Sequence, residues 1–178
     1  MTKKVVIISS SPRKDGNSDS LCRAFERGAM DGYNQVTYIR LAEKKINYCL
    51  GCYACERLKK CFQDDDLNDI AKELVDADVI VLATPVYFYT MCGQMKVFLD
   101  RLVQNYTKIH ADIYIFVTAW DKDKNMLKLA VDSIRGATRD CYEDCPEKGV
   151  IMAGGYNNKG DIIGSPEMEE AYNMGKNC

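Results

Sequence analysis

Four unbroken apolar runs punctuate the chain: Val5–Ile8 (VVII), Val79–Ala83 (VIVLA), Ile113–Val117 (IYIFV) and Val150–Ala153 (VIMA). They contain β-branched residues and are too short for helices, the pattern of strands buried on both faces of a parallel sheet. Gln35–Leu41 (QVTYIRL) alternates instead, with Thr37, Ile39 and Leu41 on one side. That alternation predicts an edge strand with one face solvated. Helical spacing fills the intervals. Leu21, Phe25 and Ala29 share a face, as do Leu67, Ile70, Ala71 and Leu74. Met95, Phe98, Leu99 and Leu102 repeat the pattern, then Leu127, Ala130, Val131 and Ile134, and more weakly Met168, Ala171 and Tyr172. A period near 3.6 residues accounts for each set. Asp65 or Asp66 and Ser165 are the expected N-caps, and Pro166 suits a first helical position.

The order is therefore β-α repeated five times, an α/β three-layer sandwich with helices on both faces of a five-stranded parallel sheet. Strand order 2-1-3-4-5 leaves the alternating second strand at an edge, whereas 3-2-1-4-5 would bury it. Either arrangement binds ligands beyond the carboxyl ends of the strands.

Composition narrows the function classes. The chain has 178 residues, 47% hydrophobic and 28% charged, which suits one domain with a full core. The formal net charge is −2, from 24 basic and 26 acidic residues. That balance supplies no basic field for nucleic acid or an anionic membrane. The first apolar run is shorter than the roughly 7–15 residues of a secretory h-region, and no run approaches the roughly 20 residues of a membrane span. A cytoplasmic protein is expected. Its nine cysteines then read as reduced thiols, metal ligands or redox groups rather than disulfides.

Three loops carry candidate chemistry. Ser9–Ser20 (SSSPRKDGNSDS) joins the first strand to the first helix. Ser11, Arg13, Asn17 and Ser18 can donate to an anion there, aided by the helix N-terminus. The loop lacks Gly-Lys-Ser/Thr and the three-glycine dinucleotide fingerprint, so a monophosphate fits better than a pyrophosphate; the plainer alternative is a polar turn with a good N-cap. After the third strand, Pro85 precedes Tyr87, Phe88 and Tyr89, which can frame a flat ring or form an interface. Ala119 and Trp120 end the fourth strand on the same side. His110 reads as a surface or helix-end residue. The third loop, Cys49–Asp66 (CLGCYACERLKKCFQDDD), spaces Cys49, Cys52, Cys55 and Cys61 as C-x2-C-x2-C-x5-C. An iron–sulfur cluster, zinc, or a thiol-rich loop without metal all suit four such sulfurs. The aspartates at 64–66 read as the start of a helix. Cys22, Cys92, Cys141, Cys145 and Cys178 read as core or surface thiols, with Cys92 near the aromatic loop.

Together these loops resemble the NAD(P)H-dependent FMN reductase family of the flavodoxin-like fold, close to its iron–sulfur flavoprotein branch. The resemblance rests on Ser10–Ser18 (SSPRKDGNS), Cys49–Asp66, Thr84–Arg101 (TPVYFYTMCGQMKVFLDR) and Lys159–Lys176 (KGDIIGSPEMEEAYNMGK), and spans essentially the whole chain. It implies strand order 2-1-3-4-5 and a single FMN-binding domain over residues 1–178, with a cysteine-rich loop at 49–61. It implies the FMN phosphate at Ser11, Arg13, Asn17 and Ser18, and the isoalloxazine against Pro85, Val86, Tyr87 and Phe88. Ala119 and Trp120 border the same site, where relatives often carry glycine or small polar residues. Cys49, Cys52, Cys55 and Cys61 match the spacing of the branch's [4Fe–4S] ligands. The implied reaction passes electrons from NAD(P)H through FMN to a quinone, a flavin or an iron–sulfur cluster. It needs no side-chain nucleophile, so no catalytic acid or base is named. The alternative is a non-enzymatic iron–sulfur flavoprotein carrier serving protein partners such as ferredoxin. A homodimer or homotetramer is expected from the family.

Overall fold

The computed structural model describes residues 1–178. The first strand, β1 (Lys4–Ser9), pairs in parallel with β2 (Gln35–Arg40) on one side and β3 (Val79–Tyr87) on the other. Next to β3 lies β5 (Asp112–Ala119), followed by β6 (Glu147–Gly154), both parallel. A two-residue strand, β4 (Thr90–Met91), folds back antiparallel onto β3. Setting that short hairpin arm aside, the five parallel strands run in the expected flavodoxin-like order, with the alternating β2 at the edge.

Alternate residues of the central strands feed two cores. Val6, Ile8, Ile80, Leu82, Ile113 and Ile115 face one side, covered by α3 (Leu67–Val75), α4 (Gly93–Arg101) and α5 (Lys124–Thr138). Val5, Ile7, Val79, Val81, Tyr114 and Phe116 face the other, covered by α1 (Asn17–Asp31) and α6 (Pro166–Lys176). Strands buried on both faces have no polar side to show, which is why their sequences are unbroken apolar runs. The helices α1 and α6 approach closely through Gly28 and Gly175. A Cβ on Gly28 would lie 2.0 Å from the Tyr172 carbonyl oxygen, and one on Gly175 would lie 2.1 Å from that of Phe25.

Of the expected caps, Ser165 accepts from the Met168 N–H. The start of α3 is built differently. Asp66 holds the N-cap position but accepts from the Lys45 N–H, while Asp65 accepts from the Leu67 N–H and pairs with Arg101. A short helix, α2 (Ala54–Leu58), forms inside the cysteine loop with no buried residue. No helix is long and apolar enough to cross a membrane.

Candidate functional site

The loop between β1 and α1 is tied down from every side. Ser10 donates through both N–H and Oγ to the Ala83 carbonyl of β3, each at 2.9 Å. Ser11 closes its own turn with Arg13. Asn17 donates to the carbonyls of Tyr156 and Asn158 and accepts from the Ile162 N–H, so it fastens the 156–162 segment over the loop. Ser18 bonds Thr118 of β5 at 2.7 Å. Thus the Asn17 and Ser18 side chains are spent on protein partners. The backbone N–H groups of Asn17, Ser18 and Asp19, in the first turn of α1, have no protein acceptor. Those orphan donors, at the positive end of a 15-residue helix, are what the fold leaves for an anion. Exposed Arg13, whose Nη1 donates to the Asn157 carbonyl, and exposed Lys159 stand at the rim.

Beneath this turn lies a buried polar cluster that spacing alone does not reveal. Asp19, 3% exposed, accepts from Ser9 Oγ, Tyr38 OH, Arg40 Nε and the Asp15 N–H. Burial, with the Cys22 thiol and Asp19 carboxylate close by, pushes the Tyr38 phenol up, so Tyr38 keeps the proton it donates. Arg40 also donates to Glu43 and to the Ser11 carbonyl.

An open cleft of about 240 Å³ runs from this turn between the ends of β3 and β5. Ser11, Arg13, Asn17 and Ser18 line one end, and Pro85, Val86, Tyr87, Ala119 and Trp120 line the other. Phe88 stands outside the wall, 98% exposed at the β3–β4 hairpin tip. Phe88 and Tyr89 both have positive φ, +48° and +70°. That is the left-handed geometry of a two-residue hairpin turn, adopted here by two bulky aromatics that disfavour it. Thr84 Oγ1 accepts from the Cys92 N–H, and the buried Cys92 thiol donates to Ser10, locking the hairpin's return to the β1–α1 loop.

The cleft fits FMN in its chemistry: free helix amides and two cations at one end, an apolar and aromatic wall at the other.

The four spaced cysteines gather around a second cavity of about 580 Å³, near the end of α4. All are unpaired; Cys49 and Cys52 are exposed, Cys55 and Cys61 half-buried. The loop turns through Gly51, Tyr53 and Lys59, all at positive φ. Its neck is closed by Arg101 and Asp65, whose side chains are 1% and 0% exposed. Arg101 pairs bidentately with Asp65 and donates to the Asn47 carbonyl and to Cys61 Sγ at 3.3 Å. Burial pushes the Asp65 carboxyl up, but Arg101 and the N–H groups of Asn47 and Leu67 outweigh it, so it lies below its ordinary value. The donor set suits iron–sulfur or zinc chemistry, yet no three His, Cys, Asp or Glu side chains are close enough to hold a metal ion. The thiols share a cavity without converging on a point.

Elsewhere, Cys22 is buried and burial pushes its thiol up. His110 is exposed against the Glu143 carbonyl. Thr118, Tyr156, Asn157 and Lys159 join the cleft wall without having been foreseen. Of these, only Asn157 and Lys159 carry a signal in sequence, the polar run Asn157–Asn158–Lys159 before the last helix.

The family model described as NADPH-dependent FMN reductase matches residues 3–129. An iron–sulfur flavoprotein of Archaeoglobus fulgidus is 36% identical over 100 residues, covering 56% of this chain and 46% of that protein. The chain spans about half the length of the curated relatives it matches. An NAD(P)H:quinone oxidoreductase from Methanothermobacter marburgensis superposes with a TM-score of 0.75 at 16% identity, over 99% of this chain and 97% of that one. A flavodoxin from the domain Archaea superposes with a TM-score of 0.63 at 15% identity, over 98% and 94%. These likenesses show a flavodoxin-like fold.

Proposed function

The chain belongs to the NADPH-dependent FMN reductase family, and from that premise we propose a flavin oxidoreductase that takes electrons from NAD(P)H and delivers them to a small acceptor such as a quinone or free flavin. The observation that carries this reading is the single cleft joining the free first-turn amides of α1 to the aromatic wall at the ends of β3 and β5. Bound FMN supplies hydride acceptance and electron release in ones or twos. The protein's part is to hold the phosphate at the turn of Ser11, Arg13, Asn17 and Ser18. Pro85, Val86, Tyr87, Ala119 and Trp120 present the ring's wall, and Phe88 stands outside it at the hairpin tip. The cleft is smaller than the roughly 300–1,000 Å³ of pockets that enclose their ligands. A cofactor held there stays open on one side, which a hydride donor and then an acceptor both require. No side chain is assigned as acid or base.

Exposed Tyr87, Phe88, Tyr89 and Trp120 around the open side support closure by a second copy, as a homodimer or homotetramer; sedimentation equilibrium with and without FMN tests this. Nine unpaired thiols suit the reducing cytoplasm. The reductase reading is tested by steady-state oxidation of NADH or NADPH with a quinone or FMN as acceptor, expected at many turnovers per chain.

The four free thiols around one cavity favour a second reading, a carrier that holds a [4Fe–4S] cluster at Cys49, Cys52, Cys55 and Cys61 and exchanges electrons with proteins such as ferredoxin. Reduction of the flavin by reduced ferredoxin but not by either nicotinamide selects it. Iron and sulfide assays on anaerobically purified protein decide whether the cluster is there.

A further inference from the structure

The buried carboxylate of Asp19 sits at the third position of α1, in the same first turn whose Asn17 and Ser18 line the cleft and whose first N–H groups have no protein acceptor. On its own its charge suits the helix end, but not an anionic ligand placed beside it. A carboxylate and a phosphate sharing one helix N-terminus repel each other and compete for the same positive end of the dipole. Arg40, at the end of β2 and 8% exposed, answers this. Its Nε pairs with Asp19 Oδ2 at 3.0 Å, and its Nη2 donates to the Ser11 carbonyl at 3.3 Å. Glu43, on the third nitrogen, is 57% exposed and solvated. We propose that Arg40 is a positioning residue for an anionic ligand: it cancels the Asp19 charge beneath the phosphate turn and holds the turn by its Ser11 carbonyl, so that the first-turn amides stay available to a phosphomonoester. The assignment rests on the flavin reading and names the group of the cofactor that Arg40 serves.

The test compares FMN with riboflavin, which lacks the phosphate, by fluorescence titration of flavin-free full-length protein. R40Q leaves a buried unpaired carboxylate under the turn, and FMN binding is expected to weaken about tenfold or more, with riboflavin changed less than about twofold. D19N/R40Q is neutral again and is expected to regain most of the FMN affinity while riboflavin binding stays within about twofold throughout, a phosphate-selective pattern that a purely structural role would not give. D19N alone is expected to bind FMN as tightly as wild type or a few-fold tighter. Should R40Q fail to fold, D19N decides: weaker FMN binding with riboflavin unchanged overturns the assignment. So does equal weakening of both flavins in R40Q, an unaltered R40Q, or a double variant as weak as R40Q. A folded wild-type chain that binds neither flavin overturns the flavin reading together with this assignment, whereas the other outcomes overturn the assignment alone.

Discussion

Both the β1–α1 loop, the proposed phosphate turn, and the cysteine loop rest on a buried arginine–aspartate pair, Arg40–Asp19 in one and Arg101–Asp65 in the other. In each, the arginine also grips a loop carbonyl, Ser11 or Asn47. The loops differ in what stands beyond the pair. In the β1–α1 loop, Ser11, Asn17 and Ser18 are themselves buried and bonded to Arg13, the 156–162 segment and β5 respectively. In the cysteine loop the pair closes only the neck. The tip from Cys49 to Lys60 has no buried residue, and α2 packs no side chain into a core. One site is pre-organised by the fold. The other has four thiols around one cavity that the fold does not draw together; on the cluster reading, the metal would supply that ordering.

The strongest way to break the comparison is to remove the neck. R101M leaves Asp65 buried and unpaired and is expected to cost about 3–5 kcal/mol in urea unfolding. A loss below about 1 kcal/mol would mean that the pair is not the loop's anchor. Next, anaerobic addition of iron and sulfide is expected to slow amide hydrogen exchange across residues 47–63 by about tenfold or more, with residues 10–18 unchanged. Equal slowing in both loops, or none, would erase the distinction between a finished site and an unfinished one. N17A strikes the finished site. It removes the bonds to Tyr156, Asn158 and Ile162, and FMN affinity is expected to fall about tenfold, roughly 1.4 kcal/mol. The smallest effect is acid sensitivity. Unfolded aspartate titrates near about pH 3.9, and Asp65 titrates lower when folded. Its contribution is complete above the unfolded value and disappears as pH falls through the folded one. The urea midpoint of wild type should therefore drop below about pH 4, and D65N should flatten that part of the curve.

Periodicity made most of the fold legible. Strands buried on both faces announce themselves as apolar runs, and β2 announces its edge position by alternating. The two-residue β4 and five-residue α2 are too short to carry a period. Of the residues named for one ligand, Ser11, Arg13, Asn17, Ser18, Pro85, Val86, Tyr87, Ala119 and Trp120 do line one cleft. They sit at strand ends, where topology brings loops together whatever their side chains do. What the side chains do was less legible. Asn17 and Ser18 turn to protein partners, and a hairpin turn carries Phe88 out of the wall. The two arginine–aspartate pairs join residues 21 and 36 positions apart. No local pattern marks such pairs; they follow from which elements the sheet sets side by side.

The central claim is that the cleft holds FMN and reduces it with a nicotinamide. Its most direct test is the visible spectrum of anaerobic, full-length protein mixed with one equivalent of FMN, freed of unbound flavin, and then given NADPH or NADH. The account predicts retained flavin absorbance that bleaches with at least one nicotinamide. A folded protein that retains no flavin, or whose bound flavin bleaches with dithionite but with neither nicotinamide, would contradict it.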